Sequence, residues 1–159
     1  MKFLGTTLFI ALLLCGIASA QPQGYFLFAP GQVRAAGHSA FAMDMGGGGR
    51  FISQSGLGAG AEVGVVGPKE RFTDNVFGLF SVNGYYDFNP SGKVVPFVTG
   101  GYSRSFGHSS QANWGNFGGG VNYWFAQKAG LLLEFRDHLH RTGNVTLQLW
   151  TARFGIAFR

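Results

Sequence analysis

Glu134 and Arg136 lie two positions apart in the segment Gly130 to His140, and Arg153 lies in the segment that follows. A spacing of two puts side chains on one face of a β-strand. If the two segments pair, Glu134, Arg136 and Arg153 approach one another at similar height. Glu62 stands on the matching polar face of an earlier segment, and Asp44 and Arg50 on that of another. Charges of both signs in an enclosed space can gate the passage of ions. Alternatively they serve to satisfy one another, because a buried charge left unpaired is costly.

Other groupings carry less. His138 and His140 share a face with Asp137 between them, but no third metal ligand is evident, so a position near a rim without metal is expected. In His108-Ser109-Ser110 a hydroxyl adjoins an imidazole, yet no neighbouring acid orients the base, and a solvated loop is the better account. Gly46 to Gly49, after Met43-Asp44-Met45, lack the helix and the Lys-Ser/Thr of a phosphate loop and read as a bend or corner.

The elements that position these residues follow from composition and period. Charged residues make up 12% of the 159, aromatics 16%, and glycine occurs 27 times. A soluble domain usually carries about twice that charge. Low charge with many aromatics excludes a disordered chain and fits one with little water-facing surface. The formal charge of +5 is spread thinly, and no basic run interleaved with aromatics points to nucleic acid. Met1 to Ala20 has the layout of a secretory signal: Lys2, an apolar core from Leu8 to Leu14, and the small-residue cleavage site Ala18-Ser19-Ala20. The apolar run is short for a membrane helix. Cleavage removes Cys15, the one cysteine, leaving residues 21–159 as a single domain without thiol chemistry.

After Ala20 glycine interrupts every helical pattern. Period two does better and marks eight segments: Gly24 to Gly31 (ended by Pro30-Gly31), Ser39 to Ile52, Gly56 to Val66, Val76 to Phe88, Val94 to Phe106, Asn116 to Ala126, Gly130 to His140 and Val145 to Arg159. The faces of the first and fifth are hard to separate. In the last, Phe154, Ile156 and Phe158 share one face and Arg153, Gly155 and Ala157 the other. Links 2–3, 4–5 and 6–7 are short and polar; links 1–2, 3–4 and 5–6 are longer, with Arg141 to Asn144 a short exception. That rhythm predicts an all-β, eight-stranded antiparallel up-and-down barrel.

A soluble lipocalin-like barrel turns polar groups to water; a transmembrane barrel turns apolar groups to lipid and polar ones inward. Here the polar faces are mostly Gly, Ala, Ser and Asn, with the single charges Asp44, Arg50, Glu62, Glu134, Arg136 and Arg153. Small groups with few charges suit a cramped interior rather than a wet surface. In so narrow a space, a self-satisfying charge network is expected ahead of an open gate. Aromatics near segment ends (Tyr85-Tyr86, Phe88, Tyr123-Trp124-Phe125 and Phe158) suggest interfacial belts.

The signal, the Gly/aromatic up-and-down strands from Gly24 to Arg159 and the ending Phe154-Gly155-Ile156-Ala157-Phe158 together resemble the small eight-stranded outer-membrane barrels of the OmpA/OmpX type, often grouped as outer-membrane β-barrel or porin-family proteins. The resemblance implies a transmembrane barrel in the outer membrane, monomeric, in contact with outer-membrane lipids, without catalytic signature or cofactor. It also implies that Phe154, Ile156 and Phe158 form a C-terminal signal read by the barrel assembly machinery, although here Arg159 follows the final aromatic. The function expected is non-enzymatic: structural anchoring, surface contact, or at most narrow passage of small solutes. The competing classes are a lipid A-modifying enzyme and a secreted soluble barrel binding an apolar ligand.

Overall fold

The computed structural model describes residues 20–35, 37–68, 76–107, 111–143 and 145–159. The expected signal with Cys15, and the group His108-Ser109-Ser110, lie outside the described residues. Eight antiparallel strands run in chain order: β1 (Gln21–Ala35), β2 (His38–Ile52), β3 (Leu57–Pro68), β4 (Phe77–Asp87), β5 (Val94–Phe106), β6 (Ala112–Trp124), β7 (Ala129–Thr142) and β8 (Val145–Phe158). Each pairs with its neighbour, and β8 pairs with β1 to close the barrel. Glycine is tolerated throughout because the closed ladder pairs backbone N–H and C=O groups between strands, leaving no edge.

Alternation sorts the side chains. Phe26, Val63, Phe117, Leu133, Phe135 and Phe154 are each at least half exposed on the outer wall, whereas Glu62, Glu134, Arg136 and Arg153 are buried within. A continuous apolar exterior around a polar interior suits hydrocarbon, and would be an aggregation surface in water. Strands one and five are now assigned: Phe26 and Phe28 point outward and Tyr25 and Leu27 inward, while Thr99, Ser103 and Ser105 line the interior. At the short-turn end Tyr86, Phe88, Tyr123, Phe125 and Phe158 are exposed. Tyr85 and Trp124 instead turn inward, since consecutive strand residues cannot share a face.

Three expectations about the strands are corrected as well. First, β1 continues through Pro30. The β1–β8 register is constant but skips Ala29 and Pro30, and that gap accommodates a residue with no N–H to donate. Link 1–2 therefore shrinks to residues 36–37, while residues 69–76 separate β3 from β4 and residues 107–111 separate β5 from β6. Second, β6 begins at Ala112, which brings Trp114 into the strand. Third, Gly46 to Gly49 form no corner: they pair without a break to both β1 and β3. A Cβ at Gly48 would lie 2.8 Å from Tyr25 Oη, so glycine there makes room for a lumen side chain.

Paired residues can be followed once around the wall, from Gly24 through Gly49, Ala61, Val82, Tyr102, Gly115, Leu139 and Gln148 to Arg34. The path returns to β1 at an offset of 34 − 24 = 10 residues. This shear fixes strand tilt and lumen width, and so decides which inward residues share a height.

Candidate functional site

The lumen is filled in layers. Ile52, Val95, Phe97, Trp124 and Leu132 pack the short-turn end. Ala42, Val66, Leu79, Trp114 and Leu149 pack the loop end. Between them lies the charge network.

Arg153 on β8 is its hub. It pairs with Glu62 of β3, with Glu134 of β7 (Nη1 to Oε2 3.3 Å), and more distantly with Asp44 of β2 at 4.0 Å. Arg136 donates from Nε to Glu134 Oε1 at 2.5 Å and lies 3.7 Å from Glu62. Tyr25 Oη donates to Glu62 Oε2 at 2.8 Å. Beside this network Asn116 Nδ2 donates to Ser103 Oγ at 2.8 Å, and Ser103 meets Ser81 at 2.8 Å. Two carboxylates and two guanidiniums at the centre balance in charge, with Asp44 at the margin.

Small residues make the space. Gly48 faces Glu62, Gly120 faces Glu134 and Gly118 faces Arg136 directly across the ladder. A Cβ at Gly120 would meet the Glu134 Cα at 2.8 Å. Long charged side chains thus cross a narrow lumen because the opposing wall is bare backbone.

Of the six charges singled out in the sequence, five gather here: Asp44, Glu62, Glu134, Arg136 and Arg153. Arg50 stands apart. It binds Gln23 Oε1 from Nε at 3.0 Å and Nη2 at 2.8 Å, and holds Asp87 with both Nη groups at 3.3 Å. Its guanidinium lies 5.1 Å from the Tyr85 ring centroid and 5.0 Å from that of Phe97. Tyr25, Gln23 and Asp87 are neighbours of these charges that the sequence did not mark, and Tyr85 was expected in an interfacial belt instead. Their inward parity was available for Tyr85 and Asp87 on β4, but their height was not.

The histidines separate. His138 is buried in the lumen rather than at the rim, whereas His140 sits near the loop end. The carbonyl of Asn113 can only accept, so His140 Nδ1 donates to it at 2.6 Å and Nε2 is left to accept from Thr142 Oγ1 at 2.5 Å. Among the described residues no three His, Cys, Asp or Glu side chains are grouped as metal ligands.

Among the described residues a small cavity of about 10 Å³ lies beside Tyr25, Arg50, Glu134 and Leu132. An open depression of about 520 Å³ lies outside the lumen at the short-turn rim, lined by Gln21, Pro22, Ser91, Gln127, Lys128 and Arg159. At the same rim the Arg159 guanidinium lies 4.3 Å from the Trp124 ring centroid.

No family model and no curated relative matches the chain. Solved structures do. Neisserial surface protein A is 15% identical with a TM-score of 0.71, over 87% of this chain and 97% of that one. The N-terminal β-barrel domain of Pseudomonas aeruginosa OprF is 18% identical with a TM-score of 0.61, over 87% and 98%. A de novo designed transmembrane β-barrel gives 15% and 0.56, over 88% and 94%. At such identities the likeness is one of architecture, and the chain has the fold of the small eight-stranded outer-membrane barrels.

Proposed function

We propose that this chain is a non-enzymatic outer-membrane barrel, working as a structural or surface element, with a lumen that passes at most very small solutes. The observation that carries this reading is the filled interior: a buried ion network bounded by apolar packing at both ends. Reaching a conducting state would require breaking buried ion pairs and displacing Trp114 and Trp124 together. The charge network therefore holds the wall together rather than gating a pore.

Delivery would use residues 1–20 as a cleaved export signal. Insertion would use the assembly machinery, with Phe154, Ile156 and Phe158 as the recognised face. All three are exposed on the outer wall of the closing strand, where they remain readable until β8 meets β1. Phe158→Ala is expected to lower the outer-membrane yield several-fold while the protein that does assemble keeps near-parental stability. Normal yield would remove the address.

Two measurements test the main reading. The outer-membrane fraction should contain a species whose gel mobility changes on boiling; recovery in the soluble fraction without such a shift would favour the soluble barrel. Planar bilayers should show no steady single-channel current, and a reproducible conductance would replace the filled lumen with a pore.

An enzyme acting on lipid A needs a hydroxyl, a base and a group that orients the base. Thr142 and His140 supply the first two at the loop rim, but a backbone carbonyl rather than a carboxylate stands behind the imidazole. Thr142→Val should leave the acylation pattern of the membrane lipids unchanged; an altered pattern would revive the enzyme.

A further inference from the structure

Charge outside the lumen is sorted by height. Among the described residues, Lys93, Lys128 and Arg159 lie at the short-turn rim, Arg34, Arg104 and Arg141 at the loop rim, and no cation faces outward between them. The loop-rim arginines are carried by β1, β5 and β7, whereas the outer wall of β2, β3 and β4 shows Phe41, Val65 and Phe80. All ion pairs among the described residues are in the lumen, so these three arginines have no carboxylate partner there.

Two of them flank a third donor. Arg104 faces Asn113 across the β5–β6 ladder. Gly115, two residues beyond Asn113, faces Leu139, and Arg141 lies two residues beyond that, so Arg141 comes level with Asn113 on the next strand. Two inter-strand spacings, about 10 Å, separate the two arginines. Tyr102 Oη donates to Asn113 Oδ1 at 2.6 Å, which occupies the acceptor of that amide and leaves its N–H groups available. Arg141 Nε donates to Gly143 O at 3.4 Å, and no ion pair among the described residues engages its terminal nitrogens. Thr146, paired with Arg141, adds a hydroxyl.

This set offers donors, in the planar fork geometry that suits phosphate oxygens. Directly below it on the same strands the outer wall presents Phe117, Phe135 and Leu139, all exposed. An occupant with its phosphate on the arginines would therefore lay an apolar portion along that wall, which favours a lipid over a free anion. A neutral amide between cations about 10 Å apart, with a hydroxyl beyond the second of them, favours a headgroup bearing both hydroxyls and phosphate. Asp137, the one described carboxylate of the outer wall, lies deeper on β7; it is covered, and its Oδ2 accepts from Gln148 Nε2 at 2.6 Å.

We propose that the loop rim of β5–β7 binds the phosphorylated headgroup of a glycolipid in the facing leaflet, Arg104 and Arg141 taking phosphate and Asn113 and Thr146 taking sugar hydroxyls. The site rests on the barrel spanning a membrane, as argued above.

The test uses the full barrel folded in zwitterionic micelles and native mass spectrometry. It is titrated with a bisphosphorylated disaccharide glycolipid, the same lipid dephosphorylated, phosphatidylglycerol, and inorganic phosphate. The bisphosphorylated glycolipid should bind, and R104Q/R141Q should weaken it by about tenfold or more. R104K/R141K, which keeps charge and loses the fork, should fall between and serves if the glutamine variant does not fold. K93Q/K128Q at the opposite rim should bind as the parent does. Unchanged binding by the arginine variants would overturn the site. Equal binding of phosphatidylglycerol or inorganic phosphate would also overturn it, leaving a general anion belt. A folded parent, shown by its heat-dependent mobility, that does not bind counts against the site alone. A parent that never folds in micelles counts against the barrel and the site together.

Discussion

Arg50 and Arg153 are both buried in the same lumen, yet their surroundings differ in kind. Arg153 meets three carboxylates from three strands, and one of these, Glu62, is shared with Arg136 and Tyr25. Arg50 meets one carboxylate, Asp87, and completes its shell with the amide oxygen of Gln23 and the faces of Tyr85 and Phe97. The first arrangement distributes charge over a network in which each loss strands several partners. The second is local, with neutral groups standing by when the carboxylate is lost. Tyr85 touches both, through its ring to Arg50 and its hydroxyl to Tyr25 at 3.3 Å.

The comparison can be broken by substitution. Glu62→Ala should be the most damaging, at about 3–5 kcal/mol, because it leaves two buried guanidiniums to share Glu134, with only the distant Asp44 besides, and unpairs Tyr25. Urea unfolding in phospholipid vesicles, followed by tryptophan fluorescence, measures it; a loss no greater than that of Asp87→Ala would dissolve the distinction. Asp87→Ala should cost about 1–3 kcal/mol, since Gln23 and the aromatic faces remain. Asp44→Asn should be smallest, neutral or stabilising by about 1 kcal/mol, because it removes a buried charge whose partner is 4.0 Å away. A large loss there would make Asp44 a full member of the network. Tyr85→Phe sharpens the link between the sites: it keeps the ring over Arg50 and removes only the hydroxyl contact, so about 1 kcal/mol is expected.

Much of the architecture was legible because it depends on parity, which one strand reveals by itself. Leu57 to Val65 and Phe154 to Phe158 declare their faces without reference to neighbours. The small polar faces indicated which side was cramped, and Gly118 and Gly120 now stand opposite the long side chains that required them. What parity lacks is height. Asp44, Glu62 and Arg50 all read as inward, but the inter-strand register separates Arg50 from the other two. Tyr25 was hidden for a different reason: the apolar run around it and Pro30 obscured both the faces and the length of β1. Proline reads as a stop unless one knows that the β1–β8 ladder skips it. His138 looked like a rim residue because the top of β7 extends to Thr142, beyond the segment expected.

The offset of ten at the seam between β8 and β1 limits how this chain can change length. Were the offset odd, inward residues of one strand would lie beside lipid-facing residues of the other, and the wall would be inconsistent at its joint. A single residue inserted into or deleted from a strand therefore cannot be absorbed by sliding the closure one step; it must be expelled into a turn or held as a bulge. A two-residue change keeps the faces matched but alters tilt and girth, and the guanidiniums would then meet their carboxylates at a new distance or not at all. Strand length in this barrel is thus quantised in pairs, and the charged layer at its centre selects which even value is kept.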